Sequence, residues 1–135
     1  MKNIGIGVDI IKNNRIKILL KNKNFINRIF SKNEIFVSKK IINKTNYFSK
    51  RFAAKESLVK ALGTGFRDNL NFKDIEINND NLGKPYYLMK PKIKQLIKKK
   101  KKVNNFELFL SISDEKDYSI AFTIIQKTSW FQKKQ

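Results

Sequence analysis

Two acidic residues stand where the surrounding sequence predicts a hydrophobic environment. Asp9 is the only charged residue between Lys2 and Lys12, in an apolar stretch that is typical of a buried strand. Glu56 lies at the edge of the apolar stripe of a predicted helix over residues 46–62. A buried carboxylate is costly to keep ionised unless it has a partner. A divalent cation shared by both carboxylates would be such a partner, since Mg²⁺ is typically held by one or two carboxylates with substrate phosphates and water.

Each carboxylate also has an ordinary explanation when it is taken alone. Asp9 can be a strand-end residue that caps a neighbouring segment or forms a salt bridge. Glu56 can pair with Lys60 one helical turn away, and such a surface pair contributes only about 0.3–0.5 kcal/mol. Spacing alone does not bring Asp9 and Glu56 together, so both interpretations stay open at this point.

Basic residues flank Glu56, and a loop of small residues follows the helix. Arg51, Lys55 and Lys60 lie within one or two turns of the carboxylate, and Gly63, Thr64 and Gly65 come directly after the helix. Cations, free N–H groups and a hydroxyl are the groups that bind a phosphate. Because a helix C-terminus does not favour anions, the cations would carry this binding. An ordinary helix stop is the alternative for the loop.

The composition excludes several kinds of site. The chain has 135 residues, a formal net charge of +19, 41% hydrophobic residues, no Cys and no His. It therefore has no disulfide, no thiolate or imidazole metal ligand and no histidine base, and a metal must be held by oxygen ligands. The length predicts a single domain, and residues 127–135 are expected to form a C-terminal tail. No apolar stretch approaches a membrane span and no signal peptide is evident, so we expect a cytoplasmic protein.

The pattern of apolar and capping residues predicts an α+β fold, a small and mostly antiparallel sheet with helices packed on it. Ser31 and Glu34 form a capping-box pattern, and Gly63 is a typical residue after a helix end. Strands are predicted at residues 4–11, 72–77, 85–89, 106–112 and 118–125, the last two forming a hairpin. Helices are predicted at 14–22, 31–42, 46–62 and 91–99, with a helical turn at 24–30.

Two motifs in this order resemble the holo-acyl-carrier-protein synthases, which are small 4′-phosphopantetheinyl transferases. The first is Gly7-x-Asp9 followed by Arg15, and the second is the block RFAAKESLVKALGTG, which begins at Arg51. The resemblance continues through LGKP at 82–85 and the final hairpin, and it covers residues 1–126. The first motif is weak alone, whereas the second is specific.

The resemblance implies transfer of the phosphopantetheine arm of coenzyme A to a serine of an acidic apo-acyl carrier protein, for fatty-acid biosynthesis. It implies Mg²⁺ and a homotrimer with active sites between subunits. Asp9 and Glu56 fall on the metal-ligand positions, Lys60 on the lysine beside the phosphates, and Arg15 on a position that binds the carrier protein. Asp9, Glu56 and Lys60 are thus the expected catalytic residues. The expected coenzyme A-binding residues are Arg51, Lys55, Lys60, Gly63, Thr64, Gly65 and Pro85.

One position departs from the family pattern, and other functions remain as alternatives. Ser113-Asp114 stands where many members have Ser-His near the nucleotide, and an acidic residue cannot donate to a phosphate. Glu56 and a metal-ordered water are both candidates for the base that takes the serine proton. The excess of lysine also suits a non-catalytic nucleic-acid-binding module, and an inactive relative kept as a subunit-binding protein is a third candidate.

Overall fold

A three-stranded antiparallel sheet with one long helix across it forms the centre of the fold. The computed structural model describes residues 2–63 and 70–129. Strands β1 (Lys2–Lys12), β4 (Phe106–Asp114) and β5 (Tyr118–Lys127) form the sheet in the order β1-β5-β4. A separate two-stranded sheet pairs β2 (Ile77–Asn79) with β3 (Pro85–Tyr87). The predicted α+β class and the β4–β5 hairpin are confirmed.

Three short helices lead from β1 to the long helix. They are α1 (Asn13–Leu19), α2 (Lys23–Ile29) and α3 (Lys32–Ser38), followed by α4 (Lys44–Leu62). The predicted capping box is present, because the Ser31 hydroxyl accepts from the Glu34 amide and the Glu34 carboxylate accepts from the Ser31 amide. Helix α4 ends at Gly63, whose φ of 80° is a left-handed conformation that suits glycine.

Several predicted boundaries are wrong. Helices α1 and α3 are shorter than the predicted 14–22 and 31–42, and the segment predicted as a strand at 72–77 begins with a 3-10 turn at Phe72–Asp74. The last helix, α5 (Pro91–Lys101), continues through most of the lysine run that was expected to end it. Lysine is a good helix former, and buried Ile93 and Ile97 fix this helix to the core. The division into a domain over 1–126 and a tail stays a prediction.

The two faces of the main sheet have opposite surroundings. Helix α4 covers the inner face, where Ala121, Thr123 and Ile125 of β5 are fully buried. The outer face carries large apolar side chains that stay exposed: Ile6, Val8, Ile10, Phe109, Ile120 and Phe122. The prediction that residues 4–11 form a buried strand is therefore wrong for the outer half of its side chains, because α4 lies on the other side.

Two glycines let α4 lie directly on β1. A Cβ built on Gly7 would lie 1.9 Å from the Ser57 carbonyl oxygen, and one built on Gly5 would lie 2.4 Å from the Ala61 carbonyl oxygen. Any side chain at these positions would push the strand away from the helix. The absence of side chains therefore sets the distance between the two elements that carry Asp9 and Glu56.

Candidate functional site

Asp9 and Lys60 meet at the edge of the β1–α4 contact. Asp9 lies on the same strand face as Gly5 and Gly7, so it is turned toward α4. Its Oδ1 atom accepts from the Lys60 ammonium at 3.0 Å, and the same ammonium donates to the Val8 carbonyl at 3.1 Å. Asp9 is thus a strand residue with a salt bridge, as one of the two interpretations expected, and its partner belongs to the predicted site.

Glu56 lies close to the same pair of charges and is partly buried. Burial raises the pKa of its carboxyl group, and the negative charge of Asp9 raises it further, while Lys60 and Arg15 oppose the rise. Among the described residues, the salt bridge of Lys60 is with Asp9 rather than with Glu56. The fold therefore brings Asp9 and Arg15, from the N-terminal part of the chain, close enough to Glu56 and Lys60 of α4 to interact with them.

This donor set fits a divalent cation. Two carboxylates whose mutual repulsion raises the pKa of one of them gain from a shared positive charge. The described residues contain no group of three or more His, Cys, Asp or Glu side chains that could hold a metal by themselves. Asp9 and Glu56 would thus leave the remaining coordination positions to water and to the substrate, which suits Mg²⁺.

Lys55 lies elsewhere, in the interior on another side of α4. Its ammonium is fully buried and donates to the Glu34 carboxylate at 2.7 Å, to the Phe72 carbonyl at 3.0 Å and to the Ile75 carbonyl. Burial lowers the pKa of Lys55, and the charge of Glu34 opposes that shift. All three of its donors have partners inside the protein, so Lys55 connects α4 to α3 and to the segment before β2.

Glu34 is the centre of this interior connection. Its carboxylate accepts from the Ser31 amide, from Lys55 and from the Ile77 amide at the start of β2. Its own carbonyl accepts from the Tyr47 hydroxyl at 2.7 Å. The capping box indicated the first of these bonds, but no local pattern indicated that a lysine 21 residues away would complete the set.

Arg51 and Pro85 share a second location, next to the β2–β3 hairpin. The Arg51 guanidinium stacks on the Tyr47 ring at 3.8 Å and donates to the Asn79 side chain at 2.6 Å. Asn79 is in turn the register partner of Pro85. Burial lowers the pKa of Arg51, and its Nε atom has no hydrogen-bond partner among the described residues. The described members of the expected coenzyme A-binding set are thus divided among this location, the Lys60 side of α4 and, for Lys55, the protein interior.

The loop after α4 is only partly described. Gly63 follows Lys60 by one turn, and its amide donates to the carbonyls of Val59 and Lys60. Thr64 and Gly65 lie outside the described residues. The expected phosphate-binding role of this loop therefore stays a prediction.

Asp114, the residue that departs from the family pattern, faces the start of α4. Its carboxylate accepts from the Asn46 side-chain amide at 2.5 Å. The two residues line a polar cleft together with Asn43 and Thr45. A histidine here could donate to a nucleotide, whereas Asp114 already accepts from the protein itself.

A network of buried hydroxyls, not expected from the sequence, lies behind the carboxylates. Tyr87 donates to the Ala54 carbonyl at 2.6 Å and contacts the Thr123 hydroxyl at 2.7 Å, which contacts Ser57 at 2.6 Å. Burial raises the pKa of Tyr87 to about 12. The network fixes α4 to β3 and β5 at the residue next to Glu56. Ser57 was visible in the sequence, but its partners lie 30 and 66 residues further along the chain.

Glu76 is held on the other side of the molecule, beside α3 and α5. It pairs with Lys90 at 3.2 Å and accepts from Asn33. Burial would raise its pKa, but hydrogen bonds from Ser31, Lys90 and Asn33 outweigh burial and hold it below the usual value. Glu76 therefore supports the fold in its ionised form.

The segment that leads from the end of β1 into α4 is strongly basic. Residues 10–55 contain one acidic residue, Glu34, which is buried, and ten exposed lysines and arginines. Arg15 is one of the ten, and it is close enough to Glu56 to lower its pKa. Within the described residues, no helix is long and apolar enough to cross a membrane.

Comparison with protein families finds one match that covers most of the chain. The model of the 4′-phosphopantetheinyl transferase superfamily matches residues 5–123. A holo-[acyl-carrier-protein] synthase from Pelagibacter ubique is 60% identical over 127 residues, which cover 94% of this chain and 99% of that protein.

Solved structures agree with the sequence comparison. The holo-[acyl-carrier-protein] synthase of Neisseria meningitidis superposes with a TM-score of 0.83 at 36% identity, over 93% of this chain and 99% of that one. The corresponding synthase of Bacillus anthracis, solved in complex with CoA (3′,5′-ADP), gives a TM-score of 0.78 at 34% identity, over 95% and 100%. These similarities extend over the strand and the helix that carry Asp9 and Glu56.

Proposed function

Because this chain belongs to the 4′-phosphopantetheinyl transferase superfamily, we propose that it is a holo-[acyl-carrier-protein] synthase. It transfers the 4′-phosphopantetheine group of coenzyme A to a serine of apo-acyl carrier protein and releases adenosine 3′,5′-bisphosphate, in the cytoplasm and for fatty-acid biosynthesis. The observation that supports the proposal is the ion pair between Lys60 and Asp9 at the β1–α4 contact, together with the charge interaction of both residues with Glu56. Phosphoryl transfer requires mainly positioning and charge neutralisation, which these groups provide.

Asp9 and Glu56 are the residues that would hold a magnesium ion. When bound, Mg²⁺ supplies charge neutralisation at the diphosphate oxygens of coenzyme A. Glu56 is one candidate for the group that takes up the proton of the attacking serine. An ordered water is the second candidate for that proton.

Lys60 and the loop that begins at Gly63 form the phosphate-binding part of the proposed site, although the amide of Gly63 itself is used at the helix end. The side chain of Lys60 is half-exposed, so its ammonium can reach a substrate. It offsets the charge that develops on the transferred phosphoryl group. Arg51 and Pro85 would contact a more distant part of coenzyme A beside the β2–β3 hairpin. The Nε atom of Arg51, which no described residue pairs with, supports this assignment. We leave Lys55 out of the binding surface, because its donors are used inside the protein.

The acyl carrier protein would dock on the basic surface that leads to the site. Residues 10–55 present ten cations and no exposed acid, and charge complementarity of this kind favours an acidic partner. Arg15 is the docking residue nearest to the carboxylates. The serine of the carrier protein would reach Glu56 from this side.

We further propose that the chain acts as a homotrimer. The outer face of the main sheet supports this, because the six large apolar side chains named above are exposed there and a second copy would cover them. Phe122→Lys would place a charge at the centre of that face. We expect this variant to lower the mass measured by sedimentation equilibrium, whereas Phe36→Lys, at an exposed apolar residue of α3, should leave the mass unchanged.

The intact mass of an acidic apo-acyl carrier protein tests the reaction. The carrier is incubated with coenzyme A, Mg²⁺ and this protein, with EDTA in a parallel sample. We expect a metal-dependent gain of one phosphopantetheine group that is lost in Asp9→Ala. No gain and no coenzyme A binding would refute the proposal. A nucleic-acid-binding module would instead bind RNA or DNA equally well in Asp9→Ala.

A further inference from the structure

The ammonium of Lys60 pairs with the carboxylate of Asp9, which is one of the two residues expected to bind the metal ion. This ammonium lies 3.0 Å from Oδ1 of Asp9 and 3.1 Å from the Val8 carbonyl oxygen. The side chain of Lys60 is 53% exposed, whereas that of Asp9 is 14% exposed. The carboxylate is therefore held at the strand, and the ammonium is on a flexible stem at the surface.

We infer that Lys60 is an internal counter-ion that competes with a divalent cation for Asp9. The inference rests on the proposed metal site and deepens it by assigning Lys60 a second role before the reaction begins. A cation held by Asp9 and Glu56 would repel the neighbouring ammonium and weaken its bond to Oδ1. The ammonium is then free to pair with a phosphate of the substrate, as the proposed function requires of it.

The energetics favour easy displacement. An exposed ion pair changes an equilibrium constant by at most about fivefold, so the pair between Lys60 and Asp9 opposes binding of the cation only moderately. Val8 loses one donor, and water replaces that donor because the bond lies at an exposed position. The negative charges of Glu56 and Asp9 still repel each other when Lys60 is the cation beside them. A bound divalent cation would reduce this repulsion.

Removal of the ammonium should therefore strengthen metal binding. Lys60→Met loses both the competing ion pair and the repulsion between the ammonium and the bound cation. We expect its dissociation constant for Mn²⁺ to fall by about three- to tenfold. The transfer rate should fall in the same variant, so affinity and activity change in opposite directions.

The experiment measures free Mn²⁺ by electron paramagnetic resonance while the metal alone is titrated into the full chain, without coenzyme A. Lys60→Arg keeps the charge and should bind within about twofold of the unmodified protein. Lys50→Met is the matched control, because it removes one lysine from the same helix at a distance of about 15 Å along the axis, beyond the screening length of the buffer. Circular dichroism establishes that each variant is folded.

The possible outcomes distinguish a failure of the inference from a failure of the proposed function. Tighter binding in Lys60→Met but not in Lys50→Met supports the inference. Equal or weaker binding in Lys60→Met, with binding lost in Asp9→Asn, overturns the inference alone. Equal binding in all variants, Asp9→Asn included, overturns both the inference and the metal site on which it rests.

Discussion

Alanine at position 7 tests whether the close approach of β1 and α4 sets the geometry of the site. A Cβ at Gly7 would lie 1.9 Å from the Ser57 carbonyl oxygen and 2.7 Å from the Ala61 amide nitrogen. Real Cβ atoms essentially never come closer than 3.0 Å to such an atom, so the strand must move by about 1 Å or more. Both neighbouring atoms belong to the helix backbone, so no side-chain rotation can remove the clash.

This displacement of the strand lowers the free energy of unfolding. Overpacking typically costs about 1–3 kcal/mol and occasionally more, and a clash between two backbones belongs at the upper end. We expect Gly7→Ala to lower the free energy of unfolding by about 3 kcal/mol or more. Gly5→Ala should cost less, because its nearest contact is 2.4 Å.

Urea denaturation measures the effect, and Gly83→Ala provides the control. Gly83 has a φ of +86°, and no atom of the described residues lies within 4 Å of a Cβ placed there, so alanine costs only the backbone strain of about 1–2 kcal/mol. The slope of unfolding free energy against urea should stay the same if only stability changes. A loss in Gly7→Ala no larger than in Gly83→Ala would refute the argument that this contact sets the strand–helix distance.

Three further variants test the interior contacts, each by denaturation. Glu34→Gln should cost about 3–5 kcal/mol, since it leaves the fully buried Lys55 ammonium without its counter-charge; a loss below about 1 kcal/mol would show that Lys55 does not depend on that charge. Tyr87→Phe should cost about 1–3 kcal/mol by leaving buried hydrogen-bonding groups unpaired, and an unchanged midpoint would argue against the hydroxyl network. Glu76→Gln should destabilise the protein at neutral pH but not at pH values well below the ordinary carboxyl pKa. The pKa of Glu76 is lowered in the folded state, so its stabilisation is present above the usual value of 4.5 and is lost as pH falls through the folded value; a difference that persists in acid would contradict this.

Local patterns predicted the elements that depend on local contacts. Ser31 and Glu34 form the expected capping box, and Gly63 ends α4 in the expected left-handed conformation. The hairpin of β4 and β5 also follows from alternation over neighbouring residues. These features are decided within a few residues of the chain, so the sequence contains the information needed to find them.

The features that the sequence does not predict correctly depend on contacts between residues that are distant in the chain. Alternation identifies the two faces of β1, but it does not show that the face with Gly5 and Gly7 is the one that α4 covers. Lysine is almost never fully buried, so the sequence favours a phosphate as the partner of Lys55, whereas in the structure Lys55 pairs with Glu34 in the interior.

The sequence indicates which residues belong to the candidate site, but it does not indicate how they are arranged in space. Asp9 and Glu56 were identified because a carboxylate in an apolar stretch needs a partner, and the fold does bring them near each other. The ion pair of Lys60 with Asp9 could not be foreseen, since Glu56, one turn earlier on the same helix, was the nearer choice for Lys60.

The excess of basic side chains over residues 10–55 also bears on the rate at which an acidic molecule would reach the protein. Ten exposed cations there create a long-range field, and such a field raises association rates by steering an oppositely charged molecule before any contact forms. Since the field is a sum over many charges, loss of one lysine distant from Arg15 changes the rate of encounter only slightly. Steering by this field therefore tolerates the exchange of any one of these lysines for a neutral residue such as asparagine, whereas the exchange of several together would weaken it.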